Sequence, residues 1–208
     1  MDKKIRIGVM GCADIAQRLV IPAIQQLGEK FKLVGVASRT ADKARSFADR
    51  FACESIEGYN TLVLRDDIDA VYIPLPTGLH KEWIIKALEH GKHVITSNKA
   101  TVSPNLERYV EIAERTGGSI QIEASVAGGI PFLDAILKLQ KLEEIRGYQG
   151  IFNGTSNYIL DQMQKNGMEL KVALKQAQSM GYAEAYPTND IEGIDVFYKT
   201  NITNMLAY

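Results

Sequence analysis

Cysteine, charge of one sign and long apolar runs are all scarce in this sequence, and each scarcity excludes a class of protein. The 208 residues include two cysteines, Cys12 and Cys53, too few for a disulfide framework and without metal-ligand spacing. The net charge is -1, so there is no basic excess of the kind that nucleic-acid binders gather on one face. No apolar run approaches the roughly 20 residues of a bilayer span, and the N-terminus lacks the apolar stretch of a signal peptide. We therefore predict a cytoplasmic protein with neither a nucleic-acid nor a membrane partner.

Short apolar segments alternate with helix-like segments over the first 124 residues. Five segments have the pattern of buried strands: residues 5–10, 31–38, 70–74, 93–96 and 119–124. Between them, apolar residues recur at helical spacing in four segments: residues 14–27, 42–51, 81–90 and 106–115. This alternation predicts crossover connections and a parallel sheet with helices on both faces. We therefore predict a doubly wound α/β, Rossmann-type domain over residues 1–124, with a dinucleotide-binding role.

The pattern changes after residue 124. One strand is predicted at residues 144–152, among helices at 132–142, 158–166, 169–180 and from about Asp190 to the end of the chain. A single strand among several helices predicts an α+β substrate domain over residues 125–208 that is incomplete. The unpaired strand edges of such a domain would need partners, which suggests a truncated chain.

The first strand-to-helix turn has a relaxed form of the dinucleotide fingerprint. It begins at Gly11 and has alanine where the second and third glycines usually stand. A glycine makes the tight turn, a small second residue lets the backbone approach a pyrophosphate, and the helix start supplies amide donors. The alternative is that Gly11 only ends a strand. We predict that Gly11, Ala13, Asp14 and Ile15 bind the cofactor.

The second strand ends at Ser38 and Arg39. A carboxylate at this position would accept hydrogen bonds from the adenosine ribose and favour NAD, whereas Ser and Arg suit a 2′-phosphate. The sequence therefore predicts NADP, with NAD as the second choice. The alternative for Arg39 is an ordinary solvated side chain.

Residues 5–94 resemble the Gfo/Idh/MocA family of sugar and inositol dehydrogenases. The resemblance lies in residues 7–16, 37–39, 70–80 and 87–94. It implies that Pro74, Pro76 and Thr77 line the nicotinamide side of the site. His80, which follows this stretch, is predicted to be a surface residue at a helix start. The resemblance ends before the family's Glu-Lys-Pro motif, of which residues 97–100 retain only the lysine.

From about residue 95 the chain resembles homoserine dehydrogenases instead. Four motifs in order carry this resemblance: residues 96–100, 123–131, 150–160 and 181–199. It implies an oxidoreductase of amino-acid biosynthesis that transfers a hydride between NAD(P) and L-homoserine or aspartate 4-semialdehyde. The family continues well past the equivalent of Tyr208. The missing part would complete the substrate sheet and form a homodimer interface, so we expect a weak or inactive enzyme.

Two lysines are candidates for the proton transfer that accompanies hydride transfer. A lysine accepts a proton well when burial or a nearby cation lowers its pKa. Asp195 lies four residues before Lys199, so the two side chains share one helix face and can interact. The resemblance implies that Lys199 and Asp195 form the catalytic pair and that Lys99 assists. The alternative is a solvated ion pair.

An amino-acid substrate also carries an ammonium and a carboxylate. The resemblance assigns the ammonium to Glu184 and Asp190. It places the carboxylate at Gly154 and Thr155, at a helix N-terminus where free amides favour an anion, with help from the Tyr182 hydroxyl. The alternative for residues 153–155 is a plain helix cap.

The resemblance also implies a monovalent-cation loop with ligands from Glu123, Val126 and Gly128, although a Gly-Gly-Ile-Pro turn needs no ion. One departure from the family concerns the substrate, because Tyr186 replaces its usual aspartate. Two further functions stay open. A sugar or polyol dehydrogenase would be expected to carry the Glu-Lys-Pro motif and a later helix with catalytic Asp and His. The other is a dinucleotide-binding module that catalyses nothing.

Overall fold

The computed structural model describes residues 3–208, which form two compact units. The first unit ends at Ile122 and the second begins at Glu123. Among the helices of residues 3–208, none has both the length and the apolar character that crossing a membrane requires.

The first unit is built on a six-stranded sheet in which every neighbouring pair of strands is parallel. Its strands are β1 (Ile5–Met10), β2 (Phe31–Ser38), β3 (Glu54–Glu57), β4 (Ala70–Tyr72), β5 (His93–Ile95) and β6 (Ser119–Gln121). The strand order is β3-β2-β1-β4-β5-β6, so the winding reverses between β1 and β4. Ligands of such sheets bind outside the carboxyl ends of the strands at this reversal. The predicted doubly wound, Rossmann-type sheet is confirmed.

Six helices flank this sheet. They are α1 (Ile21–Gln26), α2 (Ala41–Phe51), α3 (Tyr59–Val63), α4 (Thr77–Glu89), α5 (Lys99–Val102) and α6 (Leu106–Thr116). One apolar layer joins the strands to α4 and α6 through side chains such as Val71, Ile84 and Tyr109, and a second layer joins them to α1 and α2 through Val36 and Phe47. Burying each large apolar side chain contributes about 1.5–3 kcal/mol, so these two layers fix the sheet that positions the loops.

The helix after β1 is not regular along its length. Residues Ala16–Val20 form a π-helical turn that passes into α1. Pro22 explains the change, because it has no N–H to donate and its ring displaces the carbonyl one turn earlier. The single helix predicted over residues 14–27 is therefore interrupted.

Strand β3 was missed by the sequence reasoning. In its sequence, Glu-Ser-Ile-Glu, only Ile56 is buried, since the strand lies at the sheet edge. A polar edge strand has no continuous apolar run to reveal it. Helix α4 begins at Thr77, four residues before the predicted start at residue 81.

The second unit is helical. After a 3₁₀ turn at Glu123–Ser125 it contains α7 (Phe132–Gln140), α8 (Gly154–Asn166), α9 (Leu170–Ser179), α10 (Thr188–Ile191) and α11 (Ile194–Ala207). A small core of Ile159, Ala173 and Ala177 packs α8 on α9. The prediction of a strand at residues 144–152 is wrong: in residues 3–208 this segment pairs with no strand. A strand exists only through a neighbour's hydrogen bonds, and the described part of this unit supplies none.

Candidate active site

The turn after β1 has the geometry of a pyrophosphate cradle. Gly11 has a φ of 115° and its amide donates to the Ala37 carbonyl at 2.9 Å. A Cβ on Gly11 would lie 2.8 Å from Cδ2 of Leu75, so the space beside it is filled by that side chain. Only glycine adopts this backbone without strain, and its lack of a side chain leaves room for Leu75 to pack against the turn.

The other predicted residues of this turn lie at the start of the following helix. The Ala13 carbonyl accepts the first helical hydrogen bond, from Gln17 N at 3.2 Å. Asp14 and Ile15 are exposed, and Asp14 pairs with Arg18 at 2.6 Å across one turn. The structure thus places Gly11, Ala13, Asp14 and Ile15 at the carboxyl end of β1, where the next helix begins.

Ser38 and Arg39 end β2 beside this turn. Ser38 is buried and its carbonyl accepts the Gly58 amide at 2.8 Å, whereas Arg39 is exposed. Burial raises the pKa of the Tyr59 phenol, and the positive charge of Arg39 opposes that rise. Arg39 follows β2 and Tyr59 follows the neighbouring β3, so both lie at the carboxyl ends of adjacent strands.

The segment from Pro74 to Thr77 leads from β4 into α4. Pro74 is partly buried, Pro76 and Thr77 are exposed, and the Pro76 carbonyl accepts the Leu79 amide at 2.9 Å as the helix begins. These residues lie at the carboxyl end of β4, next to β1 in the sheet. The segment therefore borders the point where the winding of the sheet reverses.

His80 is not a surface residue, so the prediction of an exposed helix start is wrong. Its side chain is buried, with Nε2 2.6 Å from the Leu75 carbonyl and Nδ1 3.5 Å from Oγ1 of Thr96. Burial lowers the pKa of its imidazole. The early start of α4 causes the error, since it turns His80 toward the sheet.

Lys99 begins α5, in the first unit. The Asn98 side chain caps that helix by accepting the Thr101 amide at 3.3 Å, and the Lys99 carbonyl accepts the Ser103 amide at 2.9 Å. Lys99 itself is partly exposed. The cap holds this lysine at a defined place just after β5.

Lys199 and Asp195 form an ion pair on α11. Lys199 Nζ lies 2.8 Å from Oδ2 of Asp195 and donates to the Phe152 carbonyl at 2.6 Å. The side chains are only 20% and 9% exposed, so the alternative of a solvated pair is wrong. An ammonium held by a carboxylate and a carbonyl in a partly dry site is an oriented proton donor.

Asn153 joins this pair to a second carboxylate. Its Nδ2 donates to Oδ2 of Asp195 at 2.9 Å and to Oδ1 of Asp190 at 2.6 Å, while its Oδ1 accepts the Ser156 amide at 2.8 Å and so caps α8. We call Lys199, Asp195, Asn153 and Asp190 the polar network. The sequence indicated only the helix cap at Asn153, because the two carboxylates lie 37 and 42 residues away from it along the chain.

Of the remaining predicted substrate residues, Gly154, Thr155 and Tyr182 meet at the start of α8, whereas Glu184 contacts Gln178 of α9. Gly154 is its first residue, and the buried Thr155 hydroxyl donates to the Tyr182 carbonyl at 2.5 Å. The Tyr182 ring packs on that of Tyr158 with centroids 4.9 Å apart and stays half exposed. Glu184 lies exposed in the 181–187 loop, as does Tyr186. Thr155 therefore ties this loop to α8 through its own hydroxyl.

Glu123 has a structural role that the sequence did not reveal. Its two carboxylate oxygens accept the Leu133 amide at 3.1 Å and the Asp134 amide at 2.9 Å, so it caps α7. Val126 is buried, Gly128 is exposed and Ala127 between them has a φ of 52°. In residues 3–208, no group of three or more His, Cys, Asp or Glu side chains converges as a metal site.

Two family models match the chain in separate halves. The model described as "Oxidoreductase family, NAD-binding Rossmann fold" matches residues 5–123, and the "Homoserine dehydrogenase" model matches residues 131–208. The change from one model to the other falls later than the motifs indicated, because the first model extends to residue 123 and not only to about residue 94.

Individual homoserine dehydrogenases match almost the whole chain, so the first unit resembles this family as well. A homoserine dehydrogenase of Neisseria gonorrhoeae is 35% identical over 99% of this chain and 49% of its own length. The solved structure of a homoserine dehydrogenase from Thiobacillus denitrificans matches with a TM-score of 0.82 and 32% identity over 99% of this chain and 49% of that one. A 3-ketoreductase from Actinomadura kijaniata, solved with NADP, is 38% identical over 67% of this chain and 44% of its own, with a TM-score of 0.55. The chain thus spans about half the length of these relatives.

Proposed function

Because this chain belongs to the homoserine dehydrogenase family, we propose that it supports the nicotinamide-dependent interconversion of L-homoserine and aspartate 4-semialdehyde. The observation that carries the proposal is the polar network, in which the partly buried ammonium of Lys199 pairs with Asp195 and the Asn153 amide bridges Asp195 to Asp190. The network joins α11, α10 and the start of α8 around the buried Asp195, which favours a functional site over a solvated surface pair.

The proposed role of Lys199 is to move the proton of the reacting oxygen. In the reducing direction its ammonium gives a proton to the aldehyde oxygen, and in the oxidising direction the neutral amine takes the hydroxyl proton. Asp195 and the Phe152 carbonyl aim Nζ by accepting two of its hydrogen bonds, at 2.8 and 2.6 Å. When bound, the nicotinamide exchanges a hydride with the carbon. We assign Lys99 a supporting role as a second cation for the reacting oxygen.

The proposed amino-acid contacts lie around the start of α8. Asp190 has one oxygen engaged by Asn153, so its other oxygen is suited to an ammonium, with Glu184 as a second, exposed carboxylate. The free amides at Gly154 and Thr155 suit a carboxylate at the helix N-terminus, and the exposed Tyr182 ring supplies a hydroxyl. Tyr186 contributes no charge here.

The experiment that tests the proposal follows NADP reduction by the purified chain with L-homoserine, with glucose and myo-inositol as comparison substrates. Reduction with L-homoserine alone is expected. Reduction with a sugar or polyol alone would favour the function typical of the first unit's relatives. No reduction with any of them, while NADPH still binds, would contradict the proposed activity for this chain.

Lys199→Ala tests the proposed proton transfer. We expect turnover to fall by about 10²–10⁴-fold, the usual contribution of general acid–base catalysis, with NADPH affinity unchanged. Lys138→Ala is the matched control, because Lys138 forms an ion pair of the same spacing with Asp134 at 2.6 Å but is exposed. Equal turnover in the two variants would remove Lys199 from the mechanism.

We propose NADP as the preferred cofactor, since the exposed Arg39 follows the buried end of β2. The turn at Gly11 suits the pyrophosphate, because its glycine has a positive φ and a helix starts just after it. Arg39→Ala should weaken NADP binding by about tenfold and leave NAD binding unchanged, the loss of one phosphate contact. Fluorescence titration measures both, with Arg45→Ala, an exposed arginine of α2, as the control. An unchanged NADP-to-NAD ratio would contradict the assignment.

We also propose a monovalent cation at Glu123, Val126 and Gly128. The left-handed Ala127 turns the carbonyls around it, and each Glu123 oxygen keeps a lone pair beyond its capping contact. The hydrogen bonds that cap α7 explain the position of Glu123 without an ion. The test must therefore separate helix capping from cation binding. Melting curves in potassium, sodium and choline chloride should differ for the wild type and coincide for Glu123→Gln. Identical wild-type curves would leave Glu123 as a cap alone.

A cytoplasmic location and a homodimeric full-length enzyme complete the proposal. We propose both from the family resemblance alone. Sedimentation of this chain and of a full-length relative would test the dimer directly.

A further inference from the structure

His80 is a buried titratable side chain that the proposed reaction does not use. We propose that it is a positioning residue, whose ring fixes Leu75 and so sets the β4–α4 loop and the glycine turn for the nicotinamide dinucleotide. The inference rests on the proposed use of such a cofactor. It concerns a contact within the first unit only.

The partners of the two ring nitrogens define one tautomer. The Leu75 carbonyl only accepts, so Nε2 of His80 must carry the proton at 2.6 Å. In the neutral ring Nδ1 is then an acceptor, and the hydroxyl of Thr96 donates to it at 3.5 Å. Oγ1 of Thr96 in turn accepts the Asn98 amide at 3.2 Å. The three hydrogen bonds therefore run in one direction. Asn98 donates to Thr96, Thr96 donates to His80, and His80 donates to Leu75.

The charge state of the ring agrees with this direction. Thr96 is buried like His80, and burial lowers the pKa of the imidazole. A second proton on Nδ1 would oppose the Thr96 hydroxyl, which would lose its acceptor. The buried environment therefore maintains the neutral ring that the series of hydrogen bonds requires.

Leu75 connects His80 to the pyrophosphate turn. Its carbonyl is held by His80, while its side chain occupies the space where a Cβ on Gly11 would lie, 2.8 Å from Cδ2. Pro76 follows directly and limits the backbone freedom of the segment. The His80 ring thus holds Leu75, which packs against Gly11. Leu75 also directly precedes the exposed Pro76–Thr77 stretch. Loss of the ring would loosen the Pro76–Thr77 edge most, because the glycine turn keeps its own hydrogen bond to the Ala37 carbonyl.

The experiment compares two ligands on the intact chain. NADPH contacts the whole site, whereas 2′-phospho-ADP-ribose lacks the nicotinamide. His80→Gln keeps a donor near the Nε2 position, and His80→Leu removes both hydrogen bonds at similar volume. Thr116→Val is the structural control, because it removes a 2.7 Å hydrogen bond to the Leu88 carbonyl at the far end of α4.

We expect His80→Leu to weaken NADPH binding by about tenfold more than it weakens 2′-phospho-ADP-ribose binding, the effect of one lost hydrogen bond of about 1.4 kcal/mol. His80→Gln should restore most of the difference, and Thr116→Val should leave the ratio unchanged. Equal weakening of both ligands by His80→Leu, or no rescue by glutamine, would overturn the inference. Wild-type protein that binds neither ligand would instead contradict the proposed cofactor.

A second measurement keeps the inference testable if His80→Leu fails to fold. Nitrogen NMR of the histidine rings in the wild type should show His80 neutral with the proton on Nε2. Thr96→Val, which removes only the hydroxyl, should shift the Nδ1 resonance. A proton on Nδ1 in the wild type would contradict the proposed direction of the hydrogen bonds.

Discussion

The candidate sites of the two units are formed in different ways. In the first unit the residues lie in loops at the carboxyl ends of β1, β2 and β4, held by a sheet whose backbone hydrogen bonds are internal. In the second unit the polar network links α11, α10 and the start of α8 through side chains. The first site is therefore insensitive to most side-chain changes, while the second depends on a few.

The contrast also appears in what each site offers a ligand. The glycine turn presents backbone amides beside small residues and has little charge of its own. The polar network contains one ammonium and two carboxylates, bridged by Asn153. Backbone sites tolerate sequence change but are less specific, whereas a charged side-chain network is specific and costly to alter.

The largest expected effect is at Asn153. Asn153→Asp would put a third carboxylate beside Asp190 and Asp195 in the polar network. Because Asn153 and Asp195 are both buried, we expect a loss of about 3–5 kcal/mol in the free energy of unfolding at neutral pH. The loss should shrink as the pH falls and carboxylates protonate. Urea denaturation at neutral and acidic pH measures it.

Asn153→Ser is the matched control, because serine retains the helix cap but cannot bridge the carboxylates. It should lose less stability than Asn153→Asp while still reducing turnover. If aspartate were tolerated as well as serine, the network would not control this unit's stability.

An intermediate effect is expected at Gly11. Gly11→Ala should lower the free energy of unfolding by about 1–2 kcal/mol or more, because its φ is positive. Gly117→Ala is the control. Its φ of 78° should cost a similar free energy, but its Cβ would meet nothing within 4 Å. Leu75 can rotate away from the new methyl group, so the clash affects the loop more than the fold. NADPH affinity, by fluorescence titration, should therefore fall only in Gly11→Ala. Equal affinities would mean that Leu75 does not shape the site.

The smallest effect concerns the opposite end of the sheet, where Arg6 binds Asp69 at 2.6 Å. The hydrogen bonds from Arg6 hold the pKa of Asp69 below its usual value. A lowered carboxyl pKa stabilises the fold above the unfolded-state pKa, near 3.9, and this stability is lost as pH falls through the lower, folded value. Asp69→Asn should thus cost about 1 kcal/mol at neutral pH and nothing in strong acid.

Denaturation midpoints of wild type and Asp69→Asn across pH would measure this difference. Lys3→Ala is the control, since Lys3 lies 3.9 Å from Asp69 and is 79% exposed. A gap between wild type and Asp69→Asn that is the same at all pH values would show that the ion pair is not its cause.

Sequence reasoning succeeded where structure follows from local pattern. Five of the strands and the parallel sheet were predicted, because each strand is a short apolar run between helical patterns. The exceptions have physical causes. Strand β3 is polar because it lies at an edge, and the segment at residues 144–152 has strand-like residues but no neighbour to pair with in the described part of the chain.

The candidate sites divide in the same way. The Asp195–Lys199 contact was predicted from its spacing of four residues, and the cap at Asn153 from its residue type. The bridge from Asn153 to two carboxylates was not predicted, nor was the capping of α7 by Glu123. These contacts join residues that are distant along the chain, so no local pattern indicates them.

By itself the sequence determined the parallel sheet, the glycine turn and the residues that carry charge into the second unit, since period, residue size and charge are local properties. Only the tertiary structure decided which of those charges are buried, that His80 faces Leu75 and Thr96, and that Glu123 serves α7. The reason is that burial and long-range hydrogen bonds depend on which segments meet. A residue's environment is then set by partners that its own neighbours in the chain do not reveal.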